Sequence, residues 1–176
     1  MGSPRTVVST PEPICFAKAI GFKSEIASSS VRYICIFAKV DRIIKFRVVM
    51  NISHLDHLVV PVSDIEVSAA FYAEYLNMRV ERTESGRVSL HFGNQKINLH
   101  PAGWDFWLKA KTHLAGTADL CFVVEESVVE VQKQLQSEGI EICEGPVSRE
   151  GAVGEMTSIY FWDPDGNLIE LSNYIV

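Results

Sequence analysis

The alternation of apolar and polar residues runs through the same order twice between residue 55 and the C-terminus. LDHLVVPV (residues 55–62) and ADLCFVVE (118–125) each read as a strand with one buried face, and His57 and Asp119 stand at matching places 62 residues apart. Each strand is followed by the box S-x-x-E, first Ser63 with Glu66 and then Ser127 with Glu130. In that box the serine hydroxyl caps an early backbone N–H and the glutamate reaches back to the serine N–H, so two helix starts are predicted. Apolar stripes follow at Val67, Ala70, Phe71 and Tyr75, and at Val128, Val131 and Leu135. The helices are expected to stop at Asn77 and Gly139, residue types that readily enter the left-handed conformation.

Three further strand-like segments complete each half: MRVERT, GRVSLHF and QKINLH, then IEICEG, MTSIYFWD and GNLIELSNY. The chain therefore reads as an α+β protein of two tandem β-α-β-β-β units. Asp163-Pro164-Asp165-Gly166 supplies a tight turn, which pairs SIYFWD with GNLIEL and sets Glu170 in mid-strand. The boundaries expected are 1–49 for an N-terminal extension and 50–176 for the domain. Within the domain, the first unit is 50–100, the crossover 101–116 and the second unit 117–176.

Strand alternation assigns the faces. Leu58, Val60, Ile97, Leu99, Leu120, Phe122, Ile169 and Leu171 are expected under the helices. His57, Asn98, His100, Asp119 and Glu170 fall on the opposite face, where a carboxylate among apolar neighbours requires a partner. A bound metal ion is one such partner. His91 and His113 are expected to have no chemical role.

Composition narrows the partners. The net charge of −6 over 176 residues argues against nucleic acid and against a polybasic membrane surface, leaving a small molecule. Charge is unevenly spread: residues 1–49 hold eight Lys/Arg and three acids, and the remainder stands at −11. That basic stretch shows no sustained period and reads as a loosely ordered extension. Glu12 and Glu25 sit poorly in a transit peptide, so a cytoplasmic location is preferred to a mitochondrial one. Met50 precedes the first clear strand of the repeat, and a start there would leave a complete domain. Cys15, Cys35, Cys121 and Cys143 form no C-x-x-C pair, which fits a reducing compartment. No G-x-S-x-G, P-loop or G-x-G-x-x-G motif supports hydrolase or nucleotide chemistry.

The paired units, the LDHLVV opening and the DPDGNLIEL ending together resemble the vicinal-oxygen-chelate superfamily over residues 53–174. That superfamily includes glyoxalase I, extradiol dioxygenases, fosfomycin-resistance enzymes and bleomycin-resistance proteins. FGNQKINLHPAG, GTADLCFV and EGPVSREGAVGEMTSIYFWDPDGNLIELSNY are similar to the narrower group of glyoxalase domain-containing proteins. The resemblance implies a cupped, partly open mixed barrel and a divalent ion of the Zn, Ni, Co, Mn or Fe type. It places His57 and Glu170 at metal positions, and Asp119 where the family often has His. Pseudo-symmetry with Glu170 points to Asn98 as the remaining position, while His100 is the better donor chemically; both stay open. Glu170 or His100 would move protons, and Asn98, Arg149, Trp104 and Trp107 would line a substrate pocket. The segment EGPVSREGAVGEM reads either as a mobile lid or as a solvent-exposed hairpin loop. The implied activity is that of a lyase or isomerase, with dioxygenase chemistry a second choice and a homodimer as the assembly. A metal-free ligand-binding module is the alternative, because bleomycin-resistance proteins share the fold.

Overall fold

The computed structural model describes residues 33–36 and 45–175. Contacts divide the chain into a unit up to Ser53 and a unit from His54 onward. In the first, β1 (Tyr33–Ile36) pairs antiparallel with β2 (Lys45–Val48), so the extension contains a two-stranded ribbon that the sequence pattern did not suggest. The rest of the expected extension lies outside the described residues.

The second unit holds both repeats. The first repeat is β3 (His57–Val62), α1 (Ile65–Leu76), β4 (Arg79–Arg82), β5 (Val88–Phe92) and β6 (Gln95–Pro101). The second is β7 (Asp119–Val123), α2 (Val128–Ser137), β8 (Ile142–Gly151), β9 (Gly154–Trp162) and β10 (Leu168–Tyr174). Each forms a four-stranded sheet in which the opening strand lies parallel to the closing one, in the orders β3-β6-β5-β4 and β7-β10-β9-β8. The two cupped sheets bury the alternating apolar residues as expected, with Val60, Ile97 and Ile169 fully inaccessible and Leu99 and Leu171 nearly so. At about 25 cal/mol per Å² of apolar surface, such alternation makes one register strongly preferred.

Several local expectations are corrected. Asp64, not Ser63, caps α1: its carboxylate accepts from Glu66 N at 2.8 Å and Val67 N at 3.1 Å, while Ser63 donates its own N–H to Asp165 at 2.7 Å. A carboxylate outcompetes a hydroxyl at the positive end of a helix. Ser127 precedes α2 without a side-chain cap, and the first helical N–H, that of Val128, goes to Asn173 Oδ1 at 2.8 Å. Of the expected α1 stripe, Phe71 and Tyr75 pack against the core while Val67 and Ala70 are exposed, and the fully buried positions are Ser68, Ala69 and Tyr72. What turns the helix is polar: Asp165 accepts from the Ser68 hydroxyl at 2.9 Å and Asp163 from the Tyr72 hydroxyl at 2.8 Å. The DPDG turn therefore also fastens the first repeat to the second. Residues 144–156 take the hairpin form of the two expected, within the long β8–β9 hairpin that turns at Ala152-Val153. The irregular register of β8 falls at Gly145, whose φ of +117° and closeness to Ser158 O, 2.6 Å from where a Cβ would stand, require glycine.

Candidate functional site

Glu170 lies in the middle of its sheet. The strand register sets it opposite Cys121 on one side and Tyr160 on the other, so the three side chains share a face, joined by Ser172 two residues on. Ser172 Oγ donates to Glu170 Oε1 at 3.2 Å and lies 2.8 Å from Ser158 Oγ; both serines are fully buried. Cys121 Sγ is 3.5 Å from Ser172 Oγ. Burial by itself would raise the Glu170 pKa, but hydrogen bonds from Ser158, Tyr160, Ser172 and Cys121 prevail and hold it below the ordinary carboxylate value. The carboxylate is thus ordered and ionised at neutral pH. Burial pushes the Cys121 thiol up, so it is a neutral neighbour.

Arg149 extends this network. Its Nε donates to the Tyr160 hydroxyl at 3.1 Å, its Nη2 to Glu144 at 2.9 Å and its Nη1 to Ser148 O at 3.0 Å. These bonds brace Tyr160.

The first sheet carries the other donors. His57 is exposed at the start of β3, with Nδ1 2.6 Å from Asp56 Oδ1, and that bond lowers the Asp56 pKa. Asn98 sits opposite Val59 and Ser89, half-buried. His100 stands beside Pro61 and packs its ring against Trp104, Phe106 and His113. Trp107 is 92% exposed. A cavity of about 460 Å³ is bounded by Leu58, Leu76, Phe92, Leu120, Phe122 and Leu171 and meets the Glu170 cluster only at Cys121.

The structure places Glu170 and Asp119 on one face of the neighbouring strands β10 and β7, Asp119 two residues before the Cys121 that stands opposite Glu170, and His57, Asn98 and His100 on the first sheet. Imidazole and carboxylate suit a divalent ion, and a histidine whose Nδ1 is tied to a carboxylate has Nε2 directed for ligation. Among the described residues, however, no three His, Cys, Asp or Glu gather as a metal would require. The donor chemistry of these residue types fits a metal. Ser158, Ser172, Tyr160 and Cys121 were missed from the sequence, although counting back through the DPDG turn puts Tyr160 opposite Glu170. His113 carried no such signal.

A family model described as the Glyoxalase/Bleomycin resistance protein/Dioxygenase superfamily matches residues 54–171, which span both repeats. The chain belongs to this superfamily. Among relatives, the glyoxalase domain-containing protein RDO1 of Mycosarcoma maydis is 49% identical over 125 residues, covering 71% of this chain and 70% of that protein. Virulence protein STM3117 of Salmonella typhimurium is 47% identical over 126 residues, covering 72% of this chain and 88% of that protein. Its crystal structure superposes with a TM-score of 0.69 over 72% of this chain and all of that one. The integron cassette protein VCH_CASS1 from the mobile metagenome of V. cholerae is 49% identical, with a TM-score of 0.69 over 72% of this chain and 99% of that one. The superfamily assignment accounts for the duplicated units and the cupped sheets. Among the described residues, no helix is long and apolar enough to cross a membrane.

Proposed function

We propose that the protein is a divalent-metal-dependent, glyoxalase-like lyase or isomerase for a small oxygenated molecule, and that two copies complete each site. The observation that supports this reading is Glu170: an ionised carboxylate on an open sheet face, ordered by four donors, with its charge left for a cation. Glu170 and Asp119 of one copy, with His57 of a second, would hold the ion. Once bound, the ion supplies Lewis-acid polarisation of a substrate carbonyl. Ser158, Ser172 and Tyr160 keep the Glu170 oxygens oriented, and Asp56 keeps His57 Nε2 outward. The depressed pKa makes Glu170 a better ligand than base, so proton transfer falls to His100, whose lowered pKa leaves it neutral and able to accept a proton at neutral pH. A cytoplasmic site of action belongs to this reading and is supported by the dispersed cysteines.

Titration calorimetry on chelator-stripped protein tests it. Glu170→Gln and His57→Ala should each weaken Zn²⁺, Ni²⁺ or Mn²⁺ binding about tenfold or more. Mixing the two variants should restore about a quarter of the wild-type sites, because half of randomly formed pairs carry one intact His57–Glu170 combination. No recovery would place both donors in the same copy. The second reading, a metal-free binding module, draws on the same carboxylate, because its hydrogen bonds within the sheet can satisfy it without a metal. If the wild type binds none of these ions, or Glu170→Gln binds them equally, that second reading takes the place of the enzyme.

A further inference from the structure

On a regular strand, residues an odd number of places apart point to opposite faces, so alternation alone would separate Glu144 from Arg149 across β8. The structure keeps them together. Glu144 stands opposite Tyr160 and Val147 opposite Ser158, three steps along β8 against two along β9, and the extra residue reverses the alternation of everything after it. Arg149 is thereby brought to the face that carries Glu144, Tyr160 and Glu170, and its Nη2 reaches Glu144 at 2.9 Å. Its guanidinium lies 5.3 Å from the centre of the Tyr160 ring, and its Nε donates to the Tyr160 hydroxyl at 3.1 Å.

The chemistry of the three groups fixes the direction of the bonds between them. Arginine has no acceptor, so the Tyr160 oxygen accepts from Arg149. An ionised carboxylate has no donor, so the single O–H of Tyr160 is given to Glu170, its cross-strand neighbour and hydrogen-bond partner. Tyr160 is buried, which limits competition from water for that proton. A hydroxyl that accepts from a cation also donates more strongly in turn. We propose that Arg149 is a positioning residue for Glu170: held by Glu144, it orients the Tyr160 hydroxyl so that its proton goes to the Glu170 carboxylate.

With Ser172 donating to Glu170 Oε1 at 3.2 Å, the carboxylate is then held by one donor from its own strand and one from β9. Arg149 touches neither Glu170 nor anything Glu170 would bind, and acts at one remove. The value of this arrangement for a bound metal rests on the reading proposed above; the bonds themselves do not. An Arg149 that merely braced the β8–β9 hairpin through Glu144 would add to stability and leave the Tyr160 proton unaffected.

That difference can be read on the metal-free full chain labelled with [ζ-¹³C]tyrosine, in equal parts H₂O and D₂O. A hydroxyl proton held in a hydrogen bond exchanges slowly and splits its ¹³C line by the isotope shift. Tyr160 should give such a doublet, assigned by its loss in Tyr160→Phe, and Arg149→Leu should collapse it to one averaged line. Tyr72, whose buried hydroxyl donates to Asp163 at 2.8 Å, is the reference doublet that no folded variant should lose. Arg149→Lys, which keeps the charge but not the Nε–H, should also collapse the Tyr160 doublet, and serves alone if Arg149→Leu does not fold. In calorimetry with Ni²⁺, Tyr160→Phe should weaken binding about tenfold, Arg149→Leu by less, and the double variant no more than Tyr160→Phe. An averaged Tyr160 line in the wild type, a doublet that survives loss of Arg149, or additive losses of Ni²⁺ affinity would overturn the proposal. If the wild type binds no Ni²⁺, Zn²⁺ or Mn²⁺, the enzyme reading falls while the tyrosine spectra still decide the role of Arg149.

Discussion

Glu170 and His100 show how environment, more than residue type, sets chemistry. Glu170 is surrounded by hydroxyl and thiol donors that stabilise its charged form, whereas His100 is desolvated and faces a second imidazole and Arg87, which stabilises its neutral form. The sign of the resulting pH dependence follows. His100 has a folded-state pKa below its ordinary value of 6.5, so above that value neither state binds its proton and stability is complete. As pH falls below about 6.5, the unfolded chain takes the proton first and stability is lost until the folded pKa is passed. Denaturant melts between pH 8 and 5 should show this loss, and His100→Leu should reduce the slope. An unchanged slope would mean that His100 titrates normally.

At the level of elements, the DPDGN turn does more than reverse the chain. Asp163 accepts from Tyr72 Oη, Asn167 N and Asn167 Nδ2, Asp165 accepts from Ser63 N and Ser68 Oγ, and Asn167 Oδ1 accepts from Ala118 N. One turn in the second repeat therefore fixes the start of α1 and the entry to β7. Asp165→Ala should cost about 1–3 kcal/mol in urea unfolding, because it strands two donors. Ser68→Ala should cost less, and the double variant little more than Asp165→Ala, since the two changes remove the same bond. Full additivity would show that α1 is held by packing alone. The hairpin signature in the sequence pointed correctly to the β9–β10 pairing; its carboxylates' partners, 91 to 102 residues away in the chain, could not be read from it.

At the scale of the whole molecule, the unit from His54 onward contains both repeats and the described hydrophobic core. A chain beginning at Met50 should therefore melt cooperatively within a few degrees of the full-length protein, as differential scanning calorimetry would show; loss of the transition would mean that residues 1–49 are needed for folding. The same unit leaves Val59, Val123 and Trp162 42–58% exposed on its strands. Apolar strand surface of this kind favours association, so light scattering at micromolar concentration should report a dimer, as the shared metal site requires. A strict monomer would remove the proposed source of the third donor.

The sequence by itself determined the duplicated β-α-β-β-β plan, the faces of the strands and the mid-strand place of Glu170, because those follow from local periodicity and turn chemistry that each short segment carries alone. It also pointed to superfamily membership through its opening and closing motifs. It misassigned the cap of α1 and two positions of that helix's buried stripe, Val67 and Ala70, since those depend on bonds and packing between distant segments. Only the tertiary structure decided that His57 and Glu170 lie on separate sheets, that Arg149 is committed to Tyr160 and Glu144, and that His113 is buried beside His100. Each of these rests on how far apart residues remote in the chain come to lie, and alternation along a strand gives the direction of a side chain but not what it meets.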